Sequence, residues 1–512
     1  MVHFLTNKLK TKIMIEKILT CSDKMSKEYC CTVVQLGEIR EIPGANTVAK
    51  TLVNGRTIVI GKEHKEGEIM LYCSNESQLN FDFLSVNNLF SKVELNCNAD
   101  EVNSWLNAEV NRSEDEVKEY MRTHRGYFNE KGRVRMTKLA GEISMGFLYD
   151  FELLAKWCPN LAEFKNELSS MVGKDFDTVN GELFVKPYVP ELKVQDGAKK
   201  SRDEKRNKKL RKFNQMIPGQ FSFHYDTQQF ERMIKTFNPD DVVTISNKLH
   251  GTSYIIGNVL TNKPKYGGLY SKLFLYLPKR LQFTTPKYDV IYSSRSVIKN
   301  QFINNGKTGY SAGLDKCFHK YYELLKDFIP KCVTLYGEII GYVEQSNTYI
   351  QTVGKGYDYK CKPGENQFMI YRISRLKKDG TRVELNVKDV YYCTLELISQ
   401  LKESGHEDIA KRIHPIDIFY HGALKDLYPD IEINDKWHDN FLERIKNDKE
   451  NFGMELNEPM CRNAVPREGI VIRKQDDPIN EAFKLKCLKF LGKEAAEMDK
   501  SVTTDMEMAE RY

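Results

Sequence analysis

Apolar positions near the start of the chain fall in short runs separated by turn residues. Thr32–Leu36, Thr57–Ile60 and Glu68–Tyr72 are rich in β-formers, and Pro43-Gly44, Asn54-Gly55 and Glu66-Gly67 break them up. This pattern predicts short strands joined by turns. Ala99 to Arg122 is highly charged and reads as helix or loop. Gly132–Leu139 then alternates cationic and other residues with period two, and Glu142–Phe147 follows as a further strand. Arg133 and Arg135 would share one face of such a strand, offering two cations to a nucleic-acid backbone or simply to solvent. Several short strands at this spacing predict a small barrel of the oligonucleotide-binding (OB) type.

Strands and helices mix from Phe213 onward. Two apolar runs, Val242-Val243-Thr244-Ile245 and Tyr254-Ile255-Ile256, flank Lys248-Leu249-His250-Gly251-Thr252. The segment predicts a tight turn presenting Lys248, with Gly251 giving the backbone freedom to reverse the chain. Taken alone, it reads equally as an exposed lysine on an ordinary hairpin. Val290–Ser296, Thr334–Gly341, Gln367–Ile373, Gly469–Arg473 and Ala482–Cys487 read as later strands. The intervening Ser374–Glu455 is helix-prone, with apolar stripes at Leu395–Ile398 and Phe441–Ile445.

Composition changes this picture only locally. The length, 512 residues, suggests roughly two to four domains, and 41% apolar with 29% charged residues excludes a disordered chain. A net charge of +6 is small for the length, but Lys199–Lys212 holds nine Lys/Arg against Asp203 and Glu204. Like charges keep such a stretch extended. We therefore expect a nucleic-acid-binding module over residues 1–195, a basic linker over 196–215 and a second domain over 216–512. The twelve cysteines include no C-x-x-C, so neither a zinc site nor a disulfide framework is expected. Met1–Thr20 is too interrupted by charge for a signal peptide, and no stretch is apolar enough to span a bilayer. A soluble, cytoplasmic protein without a membrane partner is the expectation.

Charge on the downstream strands suggests chemistry. Glu338 sits in an otherwise apolar run and needs a partner if buried. Glu468 immediately precedes an apolar strand, and Arg295 ends one. Lys484 and Lys486 project from one strand face and repel each other unless an anion lies between them. These parts fit attack of a lysine amine on the α-phosphorus of a nucleoside triphosphate. A free lysine, with a pKa of about 10.4, is mostly protonated at neutral pH. Neighbouring cations favour the neutral amine and offset phosphate charge in the transition state. Glu468 would hold Mg²⁺ or Mn²⁺, hard cations that prefer oxygen. A ring from Gln367–Ile373 would stack on the base, or else pack in the core.

These residues resemble the covalent nucleotidyltransferase superfamily of polynucleotide ligases and mRNA capping enzymes. Lys248-Leu249-His250-Gly251-Thr252-Ser253 looks like the K-x-H-G motif of the T4 RNA ligase 2 branch, where DNA ligases and capping enzymes usually carry Asp at the His250 position. Ser294-Arg295 and the segments holding Glu338, Phe368, Glu468 and Lys484-x-Lys486 follow in the order of that family. A candidate barrel preceding the second domain is similar to the Deinococcus/Naegleria type of RNA ligase. The resemblance implies an α+β chain, an N-terminal OB-type barrel followed by an ATP-grasp-like nucleotidyltransferase domain of antiparallel sheets and helices. It implies that Lys248 is adenylylated from ATP, that Leu249, His250, Gly251 and Ser253 line the nucleotide, and that Arg295 contacts the nucleotide or the incoming 5′-phosphate. Glu338 would contact ribose, Phe368 or Tyr371 would stack on adenine, Glu468 would serve the metal, and Lys484 and Lys486 would contact the α-phosphate. The implied partner is RNA with 5′-phosphate and 3′-hydroxyl ends, joined at nicks by a monomeric enzyme. A DNA ligase, a guanylyltransferase or a non-catalytic binder are the alternatives. Asn247 and Arg372 depart from the pattern, which often has Glu and Asp there.

Overall fold

A computed structural model describes residues 14–23, 25–108, 112–189, 216–225, 227–299, 310–474 and 481–499. The chain divides into two compact units, Met1–Val189 and Pro190–Tyr512. The expected linker, residues 196–215, lies outside the described residues.

In the first unit, strands of two to six residues form five separate sheets among the described residues. None closes among the described residues, so the expected barrel is not shown. Strands this short leave little ladder with which to join every edge. The Asn54-Gly55 signal is a true hairpin turn: both residues have positive φ and join Val48–Val53 to Arg56–Gly61. The charged stretch forms two helices, Ala99–Asn107 and Glu114–His124, the second opened by a Ser113/Glu116 capping box.

The arginine expectation needs correction. Neither Arg133 nor Arg135 lies on a strand, because the strand begins at Met136. Arg133 is 2% exposed; its Nε and Nη2 donate to Glu76 at 2.7 Å each, and its guanidinium lies over the Tyr188 ring. Half-buried Arg135 donates from Nη2 to the Tyr127 carbonyl. Arg133 is thus a structural cation. Arg133→Met is expected to strand the Glu76 carboxylate and cost about 3–5 kcal/mol of stability. Urea unfolding would measure this.

The second unit is built on two sheets. The first orders β1 (Gln228–Gln229), β10 (Ala482–Lys486), β9 (Gly469–Lys474), β2 (Val242–Lys248) and β8 (Ile418–Ala423). The second orders β4 (Thr284–Ser293), β3 (Thr252–Pro264), β5 (Val333–Gly341), β6 (Asn366–Leu376) and β7 (Arg382–Glu384), with Ile413–Pro415 added on β6. Period-two alternation sorts their faces. Val243, Ile245, Ile470, Ile472, Phe483 and Leu485 enter one core with Trp437, Phe441, Leu442 and Ile445 of helix α3 (Trp437–Lys446). Tyr254, Ile256, Leu335, Ile339, Phe368 and Ile370 enter another with α1 (Tyr310–Leu325) and α2 (Val387–Glu403). The other face of each sheet carries the polar side chains, Thr244, Ser246 and Arg473 on the first and Ser253, Thr334 and Glu338 on the second, beside Val471, Ile255, Ile340 and Met369. The two polar faces meet, since the Arg473 guanidinium of β9 lies 5.7 Å from the Tyr371 ring of β6.

Candidate active site

Lys248 is not on a hairpin. It is the last residue of β2, and the chain then crosses to β3 in the other sheet, so the two flanking runs never pair. The crossing is tight. A side chain on Gly251 would collide with the Ile339 carbonyl oxygen and the Glu338 Cγ, so close approach, not a positive φ, demands glycine there. The Tyr359 hydroxyl accepts from His250 N at 2.8 Å, and Gln351 Nε2 donates to the Gly251 carbonyl at 2.7 Å, which fixes the crossing.

Register brings the cations together. Lys248 pairs with Gly469, and Gly469 with Lys486, so three adjacent strands place two lysines on one face with no side chain between them. The carboxylate of the preceding residue, Glu468, joins them. Lys248 Nζ donates to Glu468 Oε1 at 2.7 Å, and Lys486 Nζ lies 3.6 Å from the same oxygen. Burial pushes the Glu468 carboxyl up, but the Lys248 and Lys486 ammonium groups outweigh it and hold it at about 2. Its other oxygen, Oε2, is buried without a hydrogen-bond partner among the described residues. A buried, ionised carboxylate with an orphaned oxygen fits a divalent cation.

His250 lies edge-on to Tyr357 and Phe490, with Nδ1 3.7 Å from Glu468 Oε2. Burial pushes its pKa down to about 4, against the pull of Glu468 and Glu494, so the imidazole is neutral at neutral pH. Phe490 and Glu494 come from helix α4 (Leu488–Asp499), whose first amides donate to the Glu455 carboxylate. Glu494 in turn holds Lys486 Nζ at 3.1 Å. Sequence reading missed Tyr359, Gln351, Glu455 and Glu494, which carry no motif.

The remaining expected residues divide. Lys484, opposite Val471, shares the face of Lys486. Ser253 pairs with Glu338 across the ladder, and burial and the Glu338 charge both raise the Tyr371 hydroxyl beside them. Arg295 follows β4, whose last residue pairs with Ile255, at the same end of the sheet. Phe368 and Leu249 are corrections as side-chain ligands: Phe368 is buried in the core on the far side of β6, and Leu249, in the crossing just after β2, is buried in the other core. Phe368 lies over Gly337, where any side chain would strike its ring. Tyr371 lies an odd step from Phe368, so alternation turns it away from that core; a bulge follows, with Gly337 paired to Ile370 and Tyr336 to Arg372, leaving Tyr371 unopposed. Of the two departures, Arg372 is buried and pairs with Glu384 between the rings of Tyr225 and Tyr336. Asn247 turns to the core side of β2, its Nδ2 3.7 Å from Met460 Sδ. Arg473 was unassigned from sequence. It is 8% exposed on the polar face, and no carboxylate among the described residues pairs with it.

No protein-family model matches this chain, and no curated protein matches its sequence. Solved structures do. An apo Naegleria gruberi RNA ligase aligns with a TM-score of 0.50 at 18% identity, over 92% of this chain and 99% of that one. The chain shares that fold. Naegleria gruberi RNA ligase with AMP and Mn aligns at a TM-score of 0.49 and 18% identity, over 90% and 98% of the two chains. The same ligase with PPi aligns at 0.49 and 17%, over 92% and 99%.

Proposed function

We propose that the chain is an ATP-dependent RNA ligase that carries AMP on Lys248. The observation that supports this reading most is the line Lys248, Gly469, Lys486 across three strands, with Glu468 between the amines. The Lys248 amine attacks the α-phosphorus of ATP; an N–P bond forms and the bond to pyrophosphate breaks. AMP then passes to an RNA 5′-phosphate, and a 3′-hydroxyl displaces it to close the phosphodiester.

Lys484, Lys486 and Arg473 offset phosphate charge, a role that suits an arginine buried without a carboxylate. Ser253 and Glu338 face the ribose, and Tyr371 rather than Phe368 stacks on adenine. Glu468 would hold Mg²⁺ or Mn²⁺, which when bound supplies positive charge to the triphosphate. His250 favours RNA over DNA as the polymer, and the shared fold of a protein named an RNA ligase agrees. The first unit supplies RNA contacts, and nicks in duplex RNA or RNA/DNA hybrid are the substrate.

Incubation with Mg²⁺ and α-labelled ATP or GTP tests the reading. Label from ATP is expected to stay with the protein and to move onto a 5′-phosphorylated nicked RNA duplex on addition. Label from GTP alone would indicate a capping-type enzyme. Absence of label from both would overturn nucleotidyl transfer, and sealing of DNA nicks alone would overturn the RNA assignment.

A further inference from the structure

The strand that begins beside Lys248, β3, runs thirteen residues to Pro264, which carries its far end roughly 40 Å from the amine. There the chain makes an excursion over residues 265–283 before returning as β4. From Lys263 to Tyr288 the sequence holds six Lys/Arg and no Asp or Glu. Lys265, Lys272, Lys279, Arg280 and Lys287 are exposed, and no ion pair among the described residues engages them.

The excursion is ordered by its own contacts. The Tyr270 hydroxyl donates to the Leu281 carbonyl at 2.7 Å and accepts from Phe283 N at 2.6 Å. Gln282 Nε2 donates to the carbonyls of Phe274 and Leu277, and the Phe274 ring is buried. With the backbone so tied, the large apolar side chains still point outward: Leu269 is 72% exposed, Leu273 46%, Leu281 43%, Tyr266 51% and Phe283 51%. Leu269 and Leu273 lie one helical turn apart and share a face. A cluster of this kind rimmed by charge marks a contact surface.

Charge and side-chain type select the partner. A second copy would set cation against cation, which disfavours self-association. Single-stranded RNA would stack on Tyr266, Tyr276 and Phe283 but would leave Leu269, Leu273 and Leu281 uncovered, since they have no π-face on which a base can stack. An anionic bilayer meets both needs, with leucines and rings entering the headgroup boundary while lysines and Arg280 meet lipid phosphate. We propose that residues 265–283 form a peripheral docking surface for anionic membranes. No described helix is long and apolar enough to cross a bilayer, so the contact is with the surface. This revises the expectation of no membrane partner and does not depend on the ligase reading.

Co-sedimentation of the full chain with vesicles tests it. Vesicles of phosphatidylcholine plus phosphatidylserine are expected to bring the protein down, phosphatidylcholine alone is not, and high salt releases it. The Leu269→Asn/Leu273→Asn double variant is expected to partition on the order of tenfold more weakly. An unchanged thermal midpoint would show that it remains folded. Lys279→Gln/Arg280→Gln, which spares the apolar side chains, is expected to weaken binding to the serine-containing vesicles only. Failure to bind anionic vesicles, or binding by the leucine variant equal to wild type, overturns the proposal. So does a leucine variant that loses affinity for RNA by a similar factor while vesicle binding is unaffected, since the surface would then serve RNA.

Discussion

Lys248→Ala is expected to take up no label from α-labelled ATP, while sealing RNA whose 5′ end already carries AMP. The neighbouring amines do not substitute for it. Lys486 Nζ is held by Glu494 at 3.1 Å, and Lys484 sits opposite Val471, two residue pairs further along the sheet. Both remain to bind phosphate, so ATP affinity is expected to fall by no more than about tenfold, because the removed group acts as nucleophile more than as ligand. Stability is expected to change little, since Lys486 still faces Glu468. Mass spectrometry of wild type would place AMP on the Lys248 peptide. Undiminished label in the alanine variant would remove Lys248 from the chemistry altogether.

Glu468→Gln is expected to lower the rate of label uptake by on the order of 10²–10³-fold. The carboxylate sits between two ammonium groups, and an amide leaves them facing each other with Glu494 on the Lys486 side. It also removes the buried oxygen best suited to a metal, so the Mn²⁺ concentration for half-maximal labelling is expected to rise. The charge has a signature in acid. A carboxyl held at about 2 when folded, below its ordinary value of about 4.3, contributes stability that is complete above the ordinary value. That contribution is lost as pH falls toward about 2. The unfolding midpoint of wild type is therefore expected to drop more steeply across this window than that of the glutamine variant. Equal slopes, or label uptake at the wild-type rate, would count against the assignment.

Much of the site was legible because it depends on period two. Lys484 and Lys486 share a face by alternation alone, and Glu468 could be read as a carboxylate at the mouth of an apolar strand. Arg473 lies on the same face by the same rule and was readable in principle, as an even step from Gly469. What failed depended on partners distant in sequence. Nothing in Gly132–Leu139 announces that Glu76, held at positive φ, captures Arg133. Phe368 and Tyr371 sit in one run on opposite faces by alternation, and only the elements packed on the strand decide which face is core. Two apolar runs around a glycine look like a hairpin whether or not they pair with each other. The separate sheets of the first unit escaped for that reason too, since strand spacing does not specify strand partners.

The four-residue step from Lys248 to Thr252 ties the two sheets of the second unit together, with each end locked into its own ladder. Lys248, Gly469 and Lys486 belong to one ladder, so the first sheet carries the two amines and the Glu468 carboxylate as a single unit, independent of how Leu249, His250 and Gly251 make the crossing.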